Sequence, residues 1–452
     1  MPFPSFEKYK QHYKDNLILA GPIVVSQLGH MATQIADSVI VGQFAGTTPL
    51  AAVSLVNSLF MMVLVIGLGI SYGLTPLIAQ ASGRNDKDEC GKLLSNSLLI
   101  NSITAVLLYL LVHFGTLGII DHLGQSTEVV RQAKPYLAYL ALSILPLMIF
   151  QTFRQFAEGL GFTAQAMRIS IIGNGINIVL GIIFVKGLFG IQAMGVKGVG
   201  LSTLIDRAIM AFIMALYILR AKAFRDYLQK FRFSFFEKGR SKQIIRIGAP
   251  VAMQYIFEIS AFSGAAVLIG TIGTAEQAAH QVAISLAALT YMVASGAASA
   301  ATIKTGNFFG QRNFSALRRS AVASYHIVIV FMSCTALLFI FANLLLPQFY
   351  TQDKQVIAIA AQLLIIAGFF QLFDGTQVVG LGILRGIGDV NIPTYITFFS
   401  YWIIGIPLGY FFGIHLQWGV NGIWYGLTTG LLTASLLLFI RFQWRTKTLI
   451  GT

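Results

Sequence analysis

Twelve long apolar runs constrain the fold of this 452-residue chain more than any other feature of its sequence. Each run is longer than the roughly 20 apolar residues that a helix needs to cross the hydrocarbon core of a bilayer. The strands of a membrane barrel would be about half as long and would alternate in polarity. We therefore predict an all-α integral membrane protein with twelve transmembrane helices, at residues 17–41, 50–80, 92–114, 132–157, 165–187, 195–220, 244–270, 278–303, 319–346, 356–383, 392–414 and 418–440.

The distribution of basic residues predicts how these helices are oriented. The chain has a formal net charge of +14, and most of its Lys and Arg lie in the two tails and in the connections after even-numbered runs. The opposite side holds few of them: Arg131, Lys134, Lys186, Lys197 and Lys354. Cytoplasmic segments of membrane proteins are enriched in Lys and Arg, so both termini are expected in the cytoplasm. Because these residues lie between apolar runs, a nucleic-acid partner is not expected.

The two halves of the chain repeat each other at a nearly constant offset. Gly21-Pro22 corresponds to Ala249-Pro250, and EGLG at 158–161 corresponds to RGIG at 385–388. Six spans in each repeat give both halves the same direction through the membrane, so we expect parallel lobes with substrate and coupling ion near the midplane. The predicted parts are an N-lobe at 1–220, a cytoplasmic linker at 221–243 and a C-lobe at 244–452.

Two carboxylates lie deep inside apolar runs of the second half. Glu258 is near the middle of the seventh run, and Asp374 is in the tenth run between Gln371 and Gln377. A charged residue at the bilayer centre costs about 2.5–3.5 kcal/mol on insertion scales and usually marks a functional site. We predict that Glu258 and Asp374 share a polar cavity that exchanges a proton for Na⁺ or a cationic substrate. The alternative is a pair of buried polar groups that hold helices together.

The first half carries a different set of polar residues. Gln34 and Asp37 belong to a series spaced three or four residues apart in the first run, which places them on one helical face. Asn177 in the fifth run, with Thr203 and Asp206 in the sixth, could supply further oxygens to a cation or proton site around Asp37. The alternative for Asp37 is a carboxylate at the outer interface, in contact with water. Lys304 and Arg385 lie at cytoplasmic helix ends, from which their side chains are expected to reach the interface.

Six motifs are distributed along the chain: IADSVIVG (35–42), IFEISAF (256–262), AAHQVAI (278–284), LFDGTQVVG (372–380), LRGIGD (384–389) and SYWIIGIPLGY (400–410). Together they resemble the multidrug and toxic compound extrusion family, of the NorM type. The resemblance covers essentially the whole chain and implies two six-helix lobes that form a cation-coupled antiporter in the bacterial inner membrane. It also implies export of cationic or amphipathic drugs against Na⁺ or H⁺, with no cofactor.

The resemblance also assigns roles to individual residues. Asp37 matches the aspartate of the family's first span, and Asn177 and Thr203 match its polar partners. Glu258 and Asp374 match the acidic pair of the C-lobe that is associated with cation binding, which makes them candidate Na⁺ ligands. Gly181 stands where relatives often have Asn or Asp, a difference that favours coupling through the C-lobe carboxylates or through protonation of Asp37. The expected substrate cleft comprises Gln34, Gln254, Tyr255, Gln371, Gln377 and His280.

Two other function classes remain open at the level of sequence. A flippase for lipids or lipid-linked oligosaccharides would carry several basic residues inside its cleft to bind pyrophosphate, whereas only Arg207 lies deep in a run. A membrane-embedded enzyme would carry a motif such as HExxH or a P-loop, and the sequence has neither. We therefore predict a transporter and not an enzyme, with small drugs and the bilayer as its partners and a monomeric state.

Overall fold

The computed structural model describes residues 6–122, 124–233 and 236–451, and helices are the only long regular elements within these ranges. Among them, twelve long helices follow one another along the chain. They are α1 (Phe6–Phe44), α2 (Thr47–Gly83), α3 (Lys87–His122), α4 (Thr127–Gly159), α5 (Thr163–Lys186), α6 (Val196–Arg220), α7 (Lys238–Gly270), α8 (Thr274–Gly310), α9 (Phe314–Phe341), α10 (Lys354–Gly386), α11 (Asn391–His415) and α12 (Gly419–Gly451).

These helices confirm the predicted all-α membrane architecture, and each predicted run lies on one of them. Of the twelve described helices, all except α1 are long and apolar enough to cross a membrane, as judged by length and composition. The exception is due to the polar face of α1, which includes Gln34 and Asp37 and lowers its mean hydropathy. The prediction differs most at the ninth run, because α9 ends at Phe341 and not at 346. Pro347 lies just beyond, and a proline disfavours the helical conformation of the residue before it.

The repeat found in the sequence is also present in the backbone. Asn85 and Arg312, which are equivalent in the repeat, both have positive φ angles, 60° and 57°. The residues that follow them cap the next helices: Asp86 Oδ1 accepts a hydrogen bond from the Glu89 amide at 3.0 Å, and Asn313 Oδ1 accepts one from the Ala316 amide at 3.1 Å. Side-chain caps of this kind satisfy amide groups that a helix start leaves free. The two halves therefore use the same turn and the same type of cap at equivalent positions.

Close helix packing repeats at the same offset. A Cβ at Gly159 of α4 would lie 2.8 Å from the Ile78 side chain and 3.0 Å from the Thr75 carbonyl oxygen. A Cβ at Gly386 of α10 would meet the Thr305 side chain and would lie 2.7 Å from the Thr302 carbonyl oxygen. Both glycines allow two helix backbones to approach closely. The helices that carry them, α4 and α10, are the most deeply buried of the apolar helices described.

The Cα positions divide the chain into two compact units. One unit comprises Val25–Ala252, and the other comprises Met253–Thr452 together with the chain up to Val24. The two boundaries are separated by the same offset as Gly21-Pro22 and Ala249-Pro250, and they fall inside α1 and α7. The predicted lobes, by contrast, keep each helix whole, and their limits stay a prediction.

The connection between α6 and α7 is a structured segment of the Val25–Ala252 unit. It begins with a short 3₁₀ helix, Lys222–Leu228. Ser95 Oγ of α3 accepts a hydrogen bond from the Arg232 amide at 2.9 Å, and Asn96 Oδ1 accepts one from the Glu237 amide at 2.7 Å. These contacts attach the described part of the predicted linker to the first turns of α3.

Candidate functional site

Glu258 and Asp374 lie in the unit that contains α8 to α12. The Glu258 side chain of α7 is 8% exposed, and Tyr291 of α8 lines the same cavity, where its hydroxyl stabilises the carboxylate charge. Asp374 of α10 is also buried, and its charge interacts with that of Glu258. The sequence predicted this pair but gave no signal for Tyr291, because an aromatic residue in an apolar run is ordinary.

A small cavity adjoins Glu258. Its volume is about 20 Å³, which is room for roughly one water molecule or an ion of similar size and not for a drug. Arg385, which the sequence places at a cytoplasmic helix end, lines this cavity, and its charge interacts with that of Glu258. The cavity is lined by Gln254, Tyr255, Glu258, Tyr291, Ser295, Ala298, Ser299, Val378, Leu381 and Arg385.

Several buried polar atoms around the two carboxylates have no protein partner among the described residues. They include Asp374 Oδ1, Gln254 Oε1 and both polar atoms of the Gln371 side chain. Leaving such an atom unsatisfied costs about 1–3 kcal/mol, so these atoms are expected to bind water or an ion. Oxygen atoms of this kind are the ligands that hard cations prefer.

The amides of this region differ in what they already bind. Gln377 Oε1 accepts a hydrogen bond from the Tyr401 hydroxyl at 2.8 Å, and its Nε2 has no partner among the described residues. Gln254 Nε2 donates to the Thr394 hydroxyl at 3.0 Å, which directs its Oε1 elsewhere. The described residues contain no group of three or more His, Cys, Asp and Glu side chains that could hold a metal.

The residues predicted for the N-lobe form a second buried cluster in the Val25–Ala252 unit. Asn177 Nδ2 donates a hydrogen bond to Thr203 Oγ1 at 3.2 Å, as the predicted grouping requires. Asp37, Asn177 and Asp206 each present a buried side-chain oxygen with no partner in the described part of the chain. The charges of Asp37 and Asp206 interact, so the carboxylates are near each other.

This N-lobe cluster contains its own cation. Arg207 Nη1 donates a hydrogen bond to Ser143 Oγ at 2.7 Å, and its guanidinium lies 5.5 Å from the centre of the Phe60 ring. Its charge interacts with both Asp206 and Asp37. The cavity at Glu258 likewise holds an arginine, Arg385, so both acidic clusters contain a guanidinium.

A larger cavity lies along α1 and α2. Its volume is about 580 Å³, which is within the range of pockets that hold drug-sized ligands. Gln34, one of the residues predicted for the substrate cleft, lines it together with side chains that are mostly apolar or uncharged. The lining residues are Met31, Gln34, Ile35, Ser38, Val39, Gly42, Gln43, Leu50 and Asn57.

The other residues predicted for the cleft have different surroundings. Gln254 and Tyr255 line the small cavity at Glu258, whereas Gln371 and Gln377 are buried and are not among its lining residues. His280 is 4% exposed and its Nδ1 accepts a hydrogen bond from Trp424 Nε1 at 3.1 Å. This contact places His280 in the core of α8 and α12, away from both cavities.

Comparison with known proteins shows which family the chain resembles as a whole. The model of the MatE family matches it twice, at residues 22–183 and 250–411, again at the offset of the repeat. A probable multidrug resistance protein NorM from Agrobacterium fabrum is 32% identical over 95% of this chain and 93% of that protein. The multidrug resistance protein MdtK of Edwardsiella ictaluri is 30% identical over 97% of this chain and 96% of that protein.

Solved structures share the fold over nearly the full length. The eukaryotic MATE transporter AtDTX14 superposes with a TM-score of 0.88 at 18% identity, covering 96% of each chain. The outward-facing conformation of a multidrug resistance MATE family transporter of the MOP superfamily gives a TM-score of 0.86 at 21% identity, covering 98% of this chain and 97% of that one. The resemblance predicted from the motifs is thereby confirmed: the chain belongs to the MatE family of multidrug and toxic compound extrusion (MATE) transporters and is not an enzyme.

Proposed function

We propose that this protein is a multidrug efflux antiporter of the bacterial inner membrane, which exports cationic and amphipathic compounds in exchange for Na⁺ or H⁺. The observation that carries this proposal is the Glu258–Asp374 pair, two interacting carboxylates buried among polar atoms that have no described protein partner. The curated relatives are described as multidrug resistance proteins, which supports drugs as the substrates. The distribution of Lys and Arg supports a cytoplasmic position for both termini. We propose the monomer as the working unit.

The pair would couple transport in the following way. A cation from outside binds to the outward-facing Glu258–Asp374 site and neutralises it, which favours release of the drug to the outside. The cation-loaded protein then turns inward, releases the cation to the cytoplasm and binds drug, and the drug-loaded protein returns to the outward-facing state. The two lobes would alternate access by a rocking motion, as expected for transporters built from repeats. The coupling site takes the ion, and the larger cavity beside Gln34 contributes to drug binding.

The composition of the larger cavity bears on the choice between drugs and lipid-linked substrates. A pyrophosphate-bearing substrate would call for Arg or Lys side chains, because these residues bind phosphate by charge-assisted hydrogen bonds. No basic residue is among the described residues that line this cavity. Arg207, the deep arginine of the first half, already donates to Ser143. These contacts favour cationic or neutral amphipathic drugs over the flippase alternative.

The proposal is tested by measuring efflux of ethidium from vesicles that contain the purified protein. A Na⁺ gradient and a pH gradient are imposed separately, with protein-free vesicles as the control. Acceleration by one gradient identifies the coupling ion. If neither gradient accelerates efflux although ethidium binds to the protein, cation-coupled antiport is excluded for this substrate.

A further inference from the structure

A third pocket lies where α6 ends and the predicted linker begins. Its volume is about 510 Å³. It combines three basic side chains with two leucines and a glutamine, in contrast to the uncharged lining of the cavity beside Gln34. The lining residues are Leu219, Arg220, Ala221, Lys222, Arg225, Leu228 and Gln229.

The three basic side chains of this pocket are available to a ligand. Arg220, Lys222 and Arg225 are all exposed, and none belongs to an ion pair within the described ranges. The carboxylate next to them, Asp226, is bound by Lys87 Nζ at 2.7 Å. The hydrogen bond from Lys87, and its charge, hold the pKa of Asp226 below the usual value, and Arg225 contributes less. Asp226 is therefore ionised at neutral pH and already paired with Lys87.

The segment that carries these side chains is held in place. Phe224, between Lys222 and Arg225, is fully buried, and its ring centre lies 4.8 Å from that of Phe162 and 5.8 Å from that of Tyr217. This aromatic anchor fixes the 3₁₀ helix on the turn between α4 and α5 and on the end of α6. A site whose charged groups are held in advance loses less conformational entropy when a ligand binds.

The same segment packs closely on α3. A Cβ at Gly91 would lie 2.7 Å from the Tyr227 carbonyl oxygen and 3.1 Å from the Phe231 amide nitrogen. Only a glycine allows the linker backbone to approach α3 this closely. This contact and the Lys87–Asp226 ion pair hold the segment that carries the basic side chains against α3.

The position of the pocket indicates which anion it can take. Leu219 is 39% exposed and directly precedes Arg220, and Phe212, two turns earlier on α6, is 67% exposed. Such apolar exposure on a spanning helix is typical of a surface that faces lipid, so the pocket lies where the hydrocarbon layer gives way to the headgroups. Arg binds phosphate oxygens through paired hydrogen bonds, and basic pockets at the ends of spanning helices bind anionic headgroups.

We propose that Arg220, Lys222 and Arg225 form a binding site for the phosphate-bearing headgroup of an anionic phospholipid, with Leu219 and Leu228 in contact with its glycerol and acyl portion. The site is independent of the drug and cation sites and does not require the proposed antiport to be correct. In the predicted topology it belongs to the cytoplasmic leaflet.

The experiment measures lipid binding to the purified full-length protein by native mass spectrometry, with added cardiolipin, phosphatidylglycerol or phosphatidylethanolamine. The test variant is Arg220→Gln/Lys222→Gln/Arg225→Gln. The matched control, Lys8→Gln/Lys10→Gln/Arg312→Gln, removes the same charge at exposed positions outside the pocket. We expect the wild type and the control to bind the two anionic lipids in preference to phosphatidylethanolamine, and the test variant to bind them about 100-fold more weakly, as three basic residues near an anionic surface predict.

Three results would overturn the proposal. Equal loss of binding in the control variant would show a net-charge effect without a site. Equal binding of phosphatidylethanolamine would show that the site does not distinguish the net charge of the headgroup. Full displacement of the lipid by millimolar inorganic phosphate would show a site for a free anion. If the triple variant aggregates, Lys222→Gln and Arg225→Gln are tested singly, and unchanged affinity in both would equally contradict the site.

Discussion

At the scale of single residues, the two buried carboxylates of the C-lobe are the centre of the proposed function. We expect Glu258→Gln and Asp374→Asn each to reduce ion-driven ethidium efflux at least about tenfold, because a neutral amide cannot alternate between a charged and a neutralised state. The measurement is the initial efflux rate in vesicles, normalised to the amount of reconstituted protein. Asp353→Asn is the control, since Asp353 caps α10 through the Gln355 amide at 2.8 Å and Asn caps a helix about as well.

The outcome of this series also decides between the two acidic clusters. Wild-type transport by both C-lobe variants would show that Glu258 and Asp374 do not couple the ion. Loss of transport at normal expression in Asp37→Asn alone would assign coupling to the N-lobe. We expect neither of these results and expect the C-lobe pair to carry the ion, because the small cavity at Glu258 has room for one.

Arg385 should tune how strongly the Glu258 site binds its cation. The guanidinium lines the same cavity as Glu258 and lies 6.0 Å from the centre of the Tyr255 ring, so its charge competes with that of an incoming ion. We expect Arg385→Gln to lower the half-saturating concentration of the coupling ion in the efflux assay by about tenfold, a typical effect of removing one nearby charge. Arg385→Lys, which keeps the charge, is the matched control. An unchanged half-saturation in Arg385→Gln would show that the two groups act independently.

The residues of the site differ in how well the sequence could predict them. Glu258 and Asp374 were predictable because a carboxylate inside a long apolar run is costly and therefore informative. Tyr291 and Arg385 were not, since a tyrosine in a span and an arginine at a helix end are both ordinary. Their part in the site depends on how α8 and α10 pack against α7, which hydropathy does not specify. The packing of His280 on Trp424 depends on the same information.

At the scale of helices, the close contacts of α2 and α8 make a stability prediction. A Cβ at Gly69 of α2 would overlap Ala252 of α7, and a Cβ at the equivalent Gly296 of α8 would overlap Val24 of α1. We expect Gly69→Ala and Gly296→Ala each to destabilise the protein by about 1–3 kcal/mol, the usual cost of overpacking. The measurement is the thermal unfolding midpoint in detergent.

The matched control for these substitutions is Gly175→Ala in α5, because nothing lies within 4 Å of a Cβ at that position. Alanine is the better helix former by about 1 kcal/mol, so the control should leave the midpoint unchanged or raise it. A higher unfolding midpoint in all three variants would show that the helices separate easily at Gly69 and Gly296, contrary to their packing in the structure.

The helices themselves were largely predictable, and the connections were not. Apolar runs of spanning length specify the existence of each helix, and the repeat offset specifies equivalent caps at Asp86 and Asn313. The attachment of the linker to α3 had no such signal, because its contacts are hydrogen bonds from backbone amides to Ser95 and Asn96. Nearly every residue carries the same backbone amide group. The sequence of a polar connection therefore does not show whether that connection packs against a helix.

At the scale of the whole molecule, the repeat joins the sequence, the compact units and the family match. The unit boundaries after Val24 and Ala252 are separated by the same offset as the two matches to the family model, at 22–183 and 250–411. The charges do not follow this symmetry: at that offset Glu258 corresponds to His30, and Asp37 corresponds to Ala265. The lobes thus share a scaffold but not a charge layout, and this difference bears on the stoichiometry of the proposed antiport.

Stoichiometry leads to a prediction about the membrane potential. If only the Glu258–Asp374 site carries an ion, export of one monovalent drug cation against one Na⁺ or H⁺ moves no net charge. A potential of 100 mV, worth about 2.3 kcal/mol per charge, should then leave the steady-state ethidium gradient unchanged. The same potential should change the steady-state gradient of an uncharged amphipathic substrate by up to about 40-fold, because about 1.4 kcal/mol corresponds to a tenfold concentration ratio.

The test imposes a potassium diffusion potential with valinomycin at a fixed gradient of the coupling ion. It compares the steady-state gradient of ethidium with that of an uncharged amphipathic substrate. A potential that increases the ethidium gradient would show that more than one cation returns per drug. In that case Asp37→Asn, which removes the carboxylate of the N-lobe cluster, should abolish the response to the potential while drug efflux continues. A response that persists in Asp37→Asn would place both ions in the C-lobe, where Glu258 and Asp374 would each have to neutralise one.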